Sequence, residues 1–326
     1  METKLKTNIN EWKTSRGLPP YADKTINKYI SDIRKLAPKD YEDMSWCELT
    51  KDISEKLKDF KPTTQRNYYN SLLIGIYASG YAEKGHGVAK IYEAKRDMLN
   101  AQYENKGGQT DKQQEILKNV DEKVIDDMLF KMSKDLRTRQ THMVYVMINI
   151  YKNFAFRNDV AGMQIFINNI FDEIDAKERA DNNYLVLGKP PESMSFVLND
   201  YKTASKYGEK VFEIKPPSLQ DIVRKWIDYK IDGNWDDIEN KVVYLFDWAT
   251  GSPLTRNDIS HALSDAFMRY TGHPVSSTLL RKIYSKTIID PSNATDDEIK
   301  EVIKQADISG HSVKMKAKVY HKGLAK

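Results

Sequence analysis

Apolar residues recur through the first hundred positions at steps of three and four. From Lys24 to Leu36, the residues Ile26, Tyr29, Ile30, Ile33 and Leu36 share one face of an amphipathic helix that follows a Pro19-Pro20 break. Pro62-Thr63-Thr64 opens a second helix through Tyr68, Leu72, Leu73 and Ile76, with the proline in the first turn, where its missing N–H costs little. The pattern predicts a small all-helical domain over residues 1–104. Its polar faces carry Lys24, Lys28, Lys35, Lys61 and Arg66, which could follow a phosphate backbone or simply be solvated.

The periodicity stops at Asn105-Lys-Gly-Gly-Gln-Thr-Asp-Lys-Gln-Gln114, a polar stretch with a Gly-Gly pair that reads as an interdomain linker, 105–114. A second domain, 115–326, follows. Val120 to Ile150 is helix-like, with a strongly apolar run from Met143 to Ile150. The short β-prone runs Tyr184–Leu187, Ser195–Leu198 and Lys210–Ile214 then predict a three-stranded antiparallel sheet, closed by Pro216-Pro217. Helices return with Leu219, Ile222, Val223 and Trp226 on one face. Thr255-Arg-Asn-Asp258 has the form of a capping box ahead of Ile259, Leu263 and Phe267, and Thr295-Asp-Asp-Glu298 starts another helix that closes near Gly310. The expected fold class is mainly α with a small antiparallel sheet (α+β).

Composition narrows the function classes. A chain of 326 residues exceeds the usual single core. No run of about 18 apolar residues is present, and Met-Glu-Thr-Lys-Leu-Lys lacks the apolar stretch of a secretory signal, so an intracellular protein is expected. The single cysteine, Cys47, excludes an intramolecular disulfide and any multi-cysteine metal site. Lys and Arg number 51 against 47 Asp and Glu, and this net +4 permits a polyanionic partner without requiring one. Gly85-His86-Gly87 and Gly188-Lys-Pro-Pro191 lack the spacing of a phosphate-binding loop and read as turns.

The candidate chemistry lies toward the C-terminus, in Ile308-Ser-Gly-His-Ser312 and in Tyr320, nine residues beyond His311. This segment resembles the tyrosine recombinase (phage-integrase-like) superfamily, in which a Gly-His-Ser turn precedes the nucleophilic tyrosine by that interval. Further matches follow in the family's order. Arg157, in Asn153-Phe-Ala-Phe-Arg157-Asn-Asp159, stands where the family keeps its first arginine; Lys202, in Asn199-Asp-Tyr-Lys202-Thr203, matches its lysine; Arg281, in Ser277-Thr-Leu-Leu-Arg281, matches the arginine of its His-x-x-Arg segment. Thr278 occupies the histidine position, and Val160 stands where an acidic residue is usual, with Asp159 one position earlier.

The resemblance implies a helical core-binding module followed by a catalytic domain. It also implies double-stranded DNA as partner, and cutting and rejoining through a 3′-phosphotyrosyl link without metal, ATP or cofactor. Physical chemistry supports such a set. A phenol of pKa about 10 needs nearby cations to ionise, and Arg157 and Arg281 can supply them while gripping phosphate oxygens with planar forks. Lys202, with Lys206 as fallback, would protonate the departing oxygen. His311 can donate a hydrogen bond or move a proton, whereas Thr278 offers only a hydrogen bond near neutral pH. The expected function is a site-specific recombinase or integrase of a virus or mobile element, monomeric when free and tetrameric on paired sites. A type IB topoisomerase-like relaxing enzyme and a non-catalytic DNA-binding protein on the same fold are the alternatives. Each side chain, taken alone, also has an ordinary structural role; their order is what favours the chemical reading.

Overall fold

The structure, a computed structural model, describes residues 2–39, 41–105, 109–154, 156–188 and 194–284. The chain forms two compact units, Met1–Thr110 and Asp111–Lys326.

The first unit is helical: α1 (Glu2–Thr14), α2 (Asp23–Leu36), α3 (Thr50–Leu57), α4 (Pro62–Ala78) and α5 (Gly87–Asn105), with a 3-10 turn at Ser45–Glu48. The stripe read from the sequence faces the core, where Ile26, Ile30, Ile33 and Leu36 of α2 meet Leu72, Leu73 and Ile76 of α4. Gly75 permits their close approach, since a Cβ there would fall 2.8 Å from Ile33 Cδ1. A polar contact crosses the same seam: Asp32, buried on α2, accepts from Ser71 Oγ of α4 at 2.8 Å and from Lys28. Lys28 is thus engaged by a carboxylate, and Arg66 lies over the Tyr103 ring, 4.9 Å from its centroid. Cys47 is buried, and desolvation, followed by the field of Glu48, pushes its thiol up to about 12.

In the second unit, α6 (Asp111–Asn119), α7 (Glu122–Ser133) and α8 (Arg139–Asn153) come first. The region expected as one helix-like run is therefore two helices. Asp121 caps α7 by accepting from Val124 N–H, and Thr138 caps α8 by accepting from Thr141 N–H. These caps fix two starts within what hydrophobicity alone reads as one segment. Asp111 to Gln114, read as linker, form the first turn of α6. α8 is the centre of the domain: α7, α12 (Pro217–Lys230), α14 (Arg256–Thr271) and α15 (Ser277–Tyr284) all pack on it, and His142, Met143, Val144, Val146, Met147, Ile148, Ile150 and Tyr151 are buried.

The three expected strands are present as β2 (Tyr184–Leu187), β3 (Met194–Leu198) and β4 (Lys210–Glu213), paired antiparallel. Two more complete a five-stranded mixed sheet of order β4-β3-β2-β1-β5. β1 (Gln164–Ile167) runs parallel to β2, and β5 (Val243–Tyr244) antiparallel to β1. The parallel pair needs a crossover, supplied by α9 (Asn168–Phe171) and α10 (Ala176–Asp181). Both faces of β2 are covered. Leu185 and Leu187 join the main core, while Tyr184 and Val186 pack with Phe171 and Val197 on the other side, which is why the strand reads as an unbroken apolar run. Short helices α11 (Ala204–Tyr207) and α13 (Asp236–Asn240) lie in the connections. No helix among the described residues is long and apolar enough to cross a membrane. The helix expected after Thr295 lies outside the described residues.

Candidate active site

The site grows out of the end of α8. Phe154 and Phe156 follow its last turn, their rings stacked 5.2 Å apart and each meeting Phe196 of β3 edge-on. This aromatic anchor delivers Arg157, half-buried, to a sharp polar corner. Tyr151, one turn back on α8, donates its hydroxyl to the main-chain oxygen of Arg157 at 2.7 Å, with Asn158 Oδ1 3.2 Å away. Arg157 N–H donates to Asp159 Oδ2 at 3.0 Å. Asn158 Nδ2 donates to the main-chain oxygen of Arg256 at 2.6 Å and to Ser260 Oγ at 2.7 Å, tying the corner to the start of α14. Val160, at the position where the family usually has an acidic residue, is fully buried, and Asp159, one position earlier, is 6 % exposed.

Three arginines act on that one carboxylate. Burial raises the Asp159 carboxyl above its ordinary range, opposed first by the Arg157 N–H and then by the charges of Arg256, Arg157 and Arg281. Burial likewise raises Tyr151 well above the usual phenol value, with Asp159 adding to the effect and Arg281 opposing it. Arg281, 6 % exposed on α15, therefore shares this corner with Arg157. Thr278, one turn earlier, is exposed. Its neighbour Lys282 is buried, and desolvation pushes its ammonium down to about 8.

Lys202 is exposed, in the long connection between β3 and β4. That connection is fastened near both ends. Asp200 takes two contacts from Arg256 Nη2, to its main-chain oxygen at 3.1 Å and to Oδ2 at 3.0 Å. The Tyr201 hydroxyl donates to the Gly208 oxygen at 2.7 Å, and Gly208 turns the chain at φ 66°, a conformation that suits glycine. Glu209 forms a two-pronged pair with Arg179 of α10, at 2.9 and 3.0 Å.

The structure thus groups Arg157 and Arg281, and ties the Lys202 segment to the same corner through Arg256. The Lys206 side chain, His311 and Tyr320 lie outside what is described. Arg256 was not singled out in the sequence, although the capping box that places it was. Its box forms, with Thr255 Oγ1 accepting from Asp258 N–H and the Asp258 carboxylate accepting from Thr255 N–H.

No protein-family model matches the sequence, and no curated protein matches it. Solved structures do. The Tn1549 transposon integrase in complex with transposon right-end DNA superposes with a TM-score of 0.56 at 14 % identity, covering 97 % of this chain and 94 % of that one. The XerH site-specific recombinase bound to palindromic difH, a post-cleavage complex, gives 0.54 at 13 % identity, covering 94 % and 78 %. XerH in its pre-cleavage complex with difH gives 0.51 at 11 % identity, covering 98 % and 82 %. The chain has the tyrosine-recombinase fold.

Proposed function

We propose that this chain is a site-specific DNA recombinase or integrase that cuts and rejoins duplex DNA through a 3′-phosphotyrosyl intermediate. The observation that carries the proposal is the corner at which the Arg157 N–H meets the buried Asp159 carboxylate, with the charges of Arg256 and Arg281 near enough to act on that carboxylate and the Lys202 segment fastened there through Arg256 and Asp200. A cluster with more positive than negative charge, built on rigid elements, is suited to hold a phosphodiester.

In this reading Arg157 and Arg281 grip the non-bridging oxygens and stabilise the charge that grows on them in the transition state. Tyr320, outside the described residues, attacks phosphorus through its phenolate oxygen. The P–O5′ bond breaks, its electron pair goes to O5′, and Lys202 Nζ gives that oxygen a proton. His311 donates to a phosphate oxygen, and Thr278 supplies a neutral hydrogen bond where the family has an imidazole. The covalent link conserves the bond energy, so rejoining by the reverse route needs no ATP. The helical first unit takes the role of gripping DNA, and the DNA-bound structures that share the fold support duplex DNA as the partner. The transposon-end complex among them supports service to a mobile element or virus. Protomers act singly in solution and gather as tetramers on paired sites.

A suicide substrate nicked beside the cleavage position tests this reading. A covalent protein–DNA adduct that maps to Tyr320 is expected. A salt-sensitive complex without adduct would instead make the chain a DNA-binding protein, and supercoil relaxation without joining of two duplexes would make it a topoisomerase-like enzyme.

A further inference from the structure

Asn183, just ahead of β2, is 4 % exposed and engages its whole amide with the backbone of two other segments. Its Nδ2 donates to the main-chain oxygen of Asp159 at 2.8 Å and to that of Asp200 at 2.9 Å. Its Oδ1 accepts from the N–H groups of Asn199 and Asp200, both at 2.8 Å. Two donors and two acceptor sites are the full capacity of a carboxamide, so no other side chain of similar size reproduces the set. One of its partners lies two residues beyond Arg157; the others lie two and three residues before Lys202.

We propose that Asn183 is a positioning residue for DNA cleavage, setting the distance between the phosphate held by Arg157 and the ammonium of Lys202. The inference rests on the reading of Lys202 as the proton donor. Arg157 has further supports, in the Tyr151 hydroxyl and in the Asn158 contacts to α14. Apart from Asn183, the Lys202 segment is tied to this corner by Arg256, whose half-exposed side chain reaches the Asp200 main-chain oxygen and its exposed carboxylate, a weak tether in water, while the buried Tyr201 bonds through its hydroxyl to Gly208 within the connection itself. Losing Asn183 therefore loosens the lysine more than the arginine. Proton transfer needs heavy atoms within about 2.6–3.2 Å, so a small displacement of Lys202 costs rate even while the phosphate stays gripped.

The test changes the leaving atom. With oxygen at the 5′ bridge, the departing alkoxide must be protonated. With sulfur there, the leaving thiolate belongs to a thiol of pKa about 8.5 and departs without a proton. Single-turnover cleavage of both substrates is measured for the full chain and for Asn183→Ala, Lys202→Ala and Arg157→Ala. Asn183→Ala is expected to lose about 10²-fold on the oxygen substrate and to regain most of it on sulfur, with DNA affinity unchanged. Arg157→Ala should stay slow on both. Equal losses for Asn183→Ala on the two substrates, alongside sulfur rescue of Lys202→Ala, would overturn the positioning role and leave the lysine's role standing. Failure of sulfur to rescue Lys202→Ala would overturn the proton-donor reading and this inference with it. If the alanine variant melts below the assay temperature, Asn183→Ser, which keeps a hydroxyl toward the same backbone, is held to the same oxygen-to-sulfur comparison.

Discussion

The Tyr151 hydroxyl reaches the main-chain oxygen of Arg157 across 2.7 Å, from a side chain that is wholly buried. A tyrosine with no access to solvent thus supports the backbone of a residue assigned to phosphate binding. Tyr151→Phe keeps the ring and deletes the bond. It should cost about 0.5–1.5 kcal/mol of stability, the net contribution of one hydrogen bond, and slow cleavage without altering DNA affinity. Denaturant unfolding and single-turnover kinetics on the same preparation check both halves. Unchanged kinetics would mean that Arg157 is held adequately by its other contacts.

Tyr320→Phe should abolish the covalent adduct and leave affinity nearly intact, since one hydroxyl adds little to the phosphate contacts that dominate binding. Tyr284 is the tyrosine to examine if cleavage persists. It is poorly suited to that part, because burial raises its phenol far above the usual value, Asp126 and Glu122 raise it further, and its buried hydroxyl has no hydrogen-bond partner among the described residues.

Arg281→Ala should damage cleavage more than Thr278→Ala. The arginine is a buried charge beside Asp159, at the corner proposed to hold the phosphate, whereas the threonine is exposed and offers one neutral hydrogen bond. Thr278→His should raise the rate toward that of a site with an imidazole there. A ranking with Thr278→Ala as the worse lesion would show that the helix has been placed in the wrong register against the family pattern.

Lys282 makes stability depend on pH in the alkaline range. Its folded value of about 8 lies below the unfolded one, so the unfolded chain binds the extra proton and folding gains as pH rises. Stability should climb from pH 8 toward pH 10.5, the span between the lowered and ordinary values, and Lys282→Met should flatten that rise. Chemical denaturation at several alkaline pH values, compared between the two proteins, is the measurement. A parallel pair of curves would remove Lys282 as the cause.

Light scattering should find a monomer without DNA and a tetramer once two duplexes carrying paired sites are present, where effective concentration gathers the protomers. A stable tetramer in the absence of DNA would contradict the first expectation, and a strictly 1:1 complex on paired sites the second.

Much of this architecture is written locally in the chain. The α2 stripe, the proline opening α4, the Thr255–Asp258 capping box and three of the strands all depend on near neighbours, and periodicity finds them. β5 escaped because two residues are too few for a pattern, and β1 because its parallel pairing with β2 is fixed by a crossover rather than by a turn. The break between α7 and α8 was hidden by apolar residues on both sides of it. At the corner, the position where the family usually has an acidic residue falls on Val160, while the carboxylate that accepts the Arg157 N–H belongs to Asp159, one residue earlier, a contact that depends on the bend of the chain. Arg256 went unnoticed because an arginine at the start of a helix is ordinary. Its meaning comes from Asp200, 56 residues away in the chain.

The central place of α8 in its domain sets the timescale on which different parts of this site can open. Its amides lie under four other helices, so their exchange with solvent deuterium should wait for unfolding of the whole domain. Between β3 and β4, Lys202, Ser205, Tyr207, Gly208 and Glu209 are all exposed, and their amides should exchange through local excursions. Warming should then deplete the fraction of molecules with a correctly placed lysine well before it disturbs the arginines. Cleavage would fade at temperatures where phosphate binding and the bulk of the fold persist, and cooling would restore it without refolding.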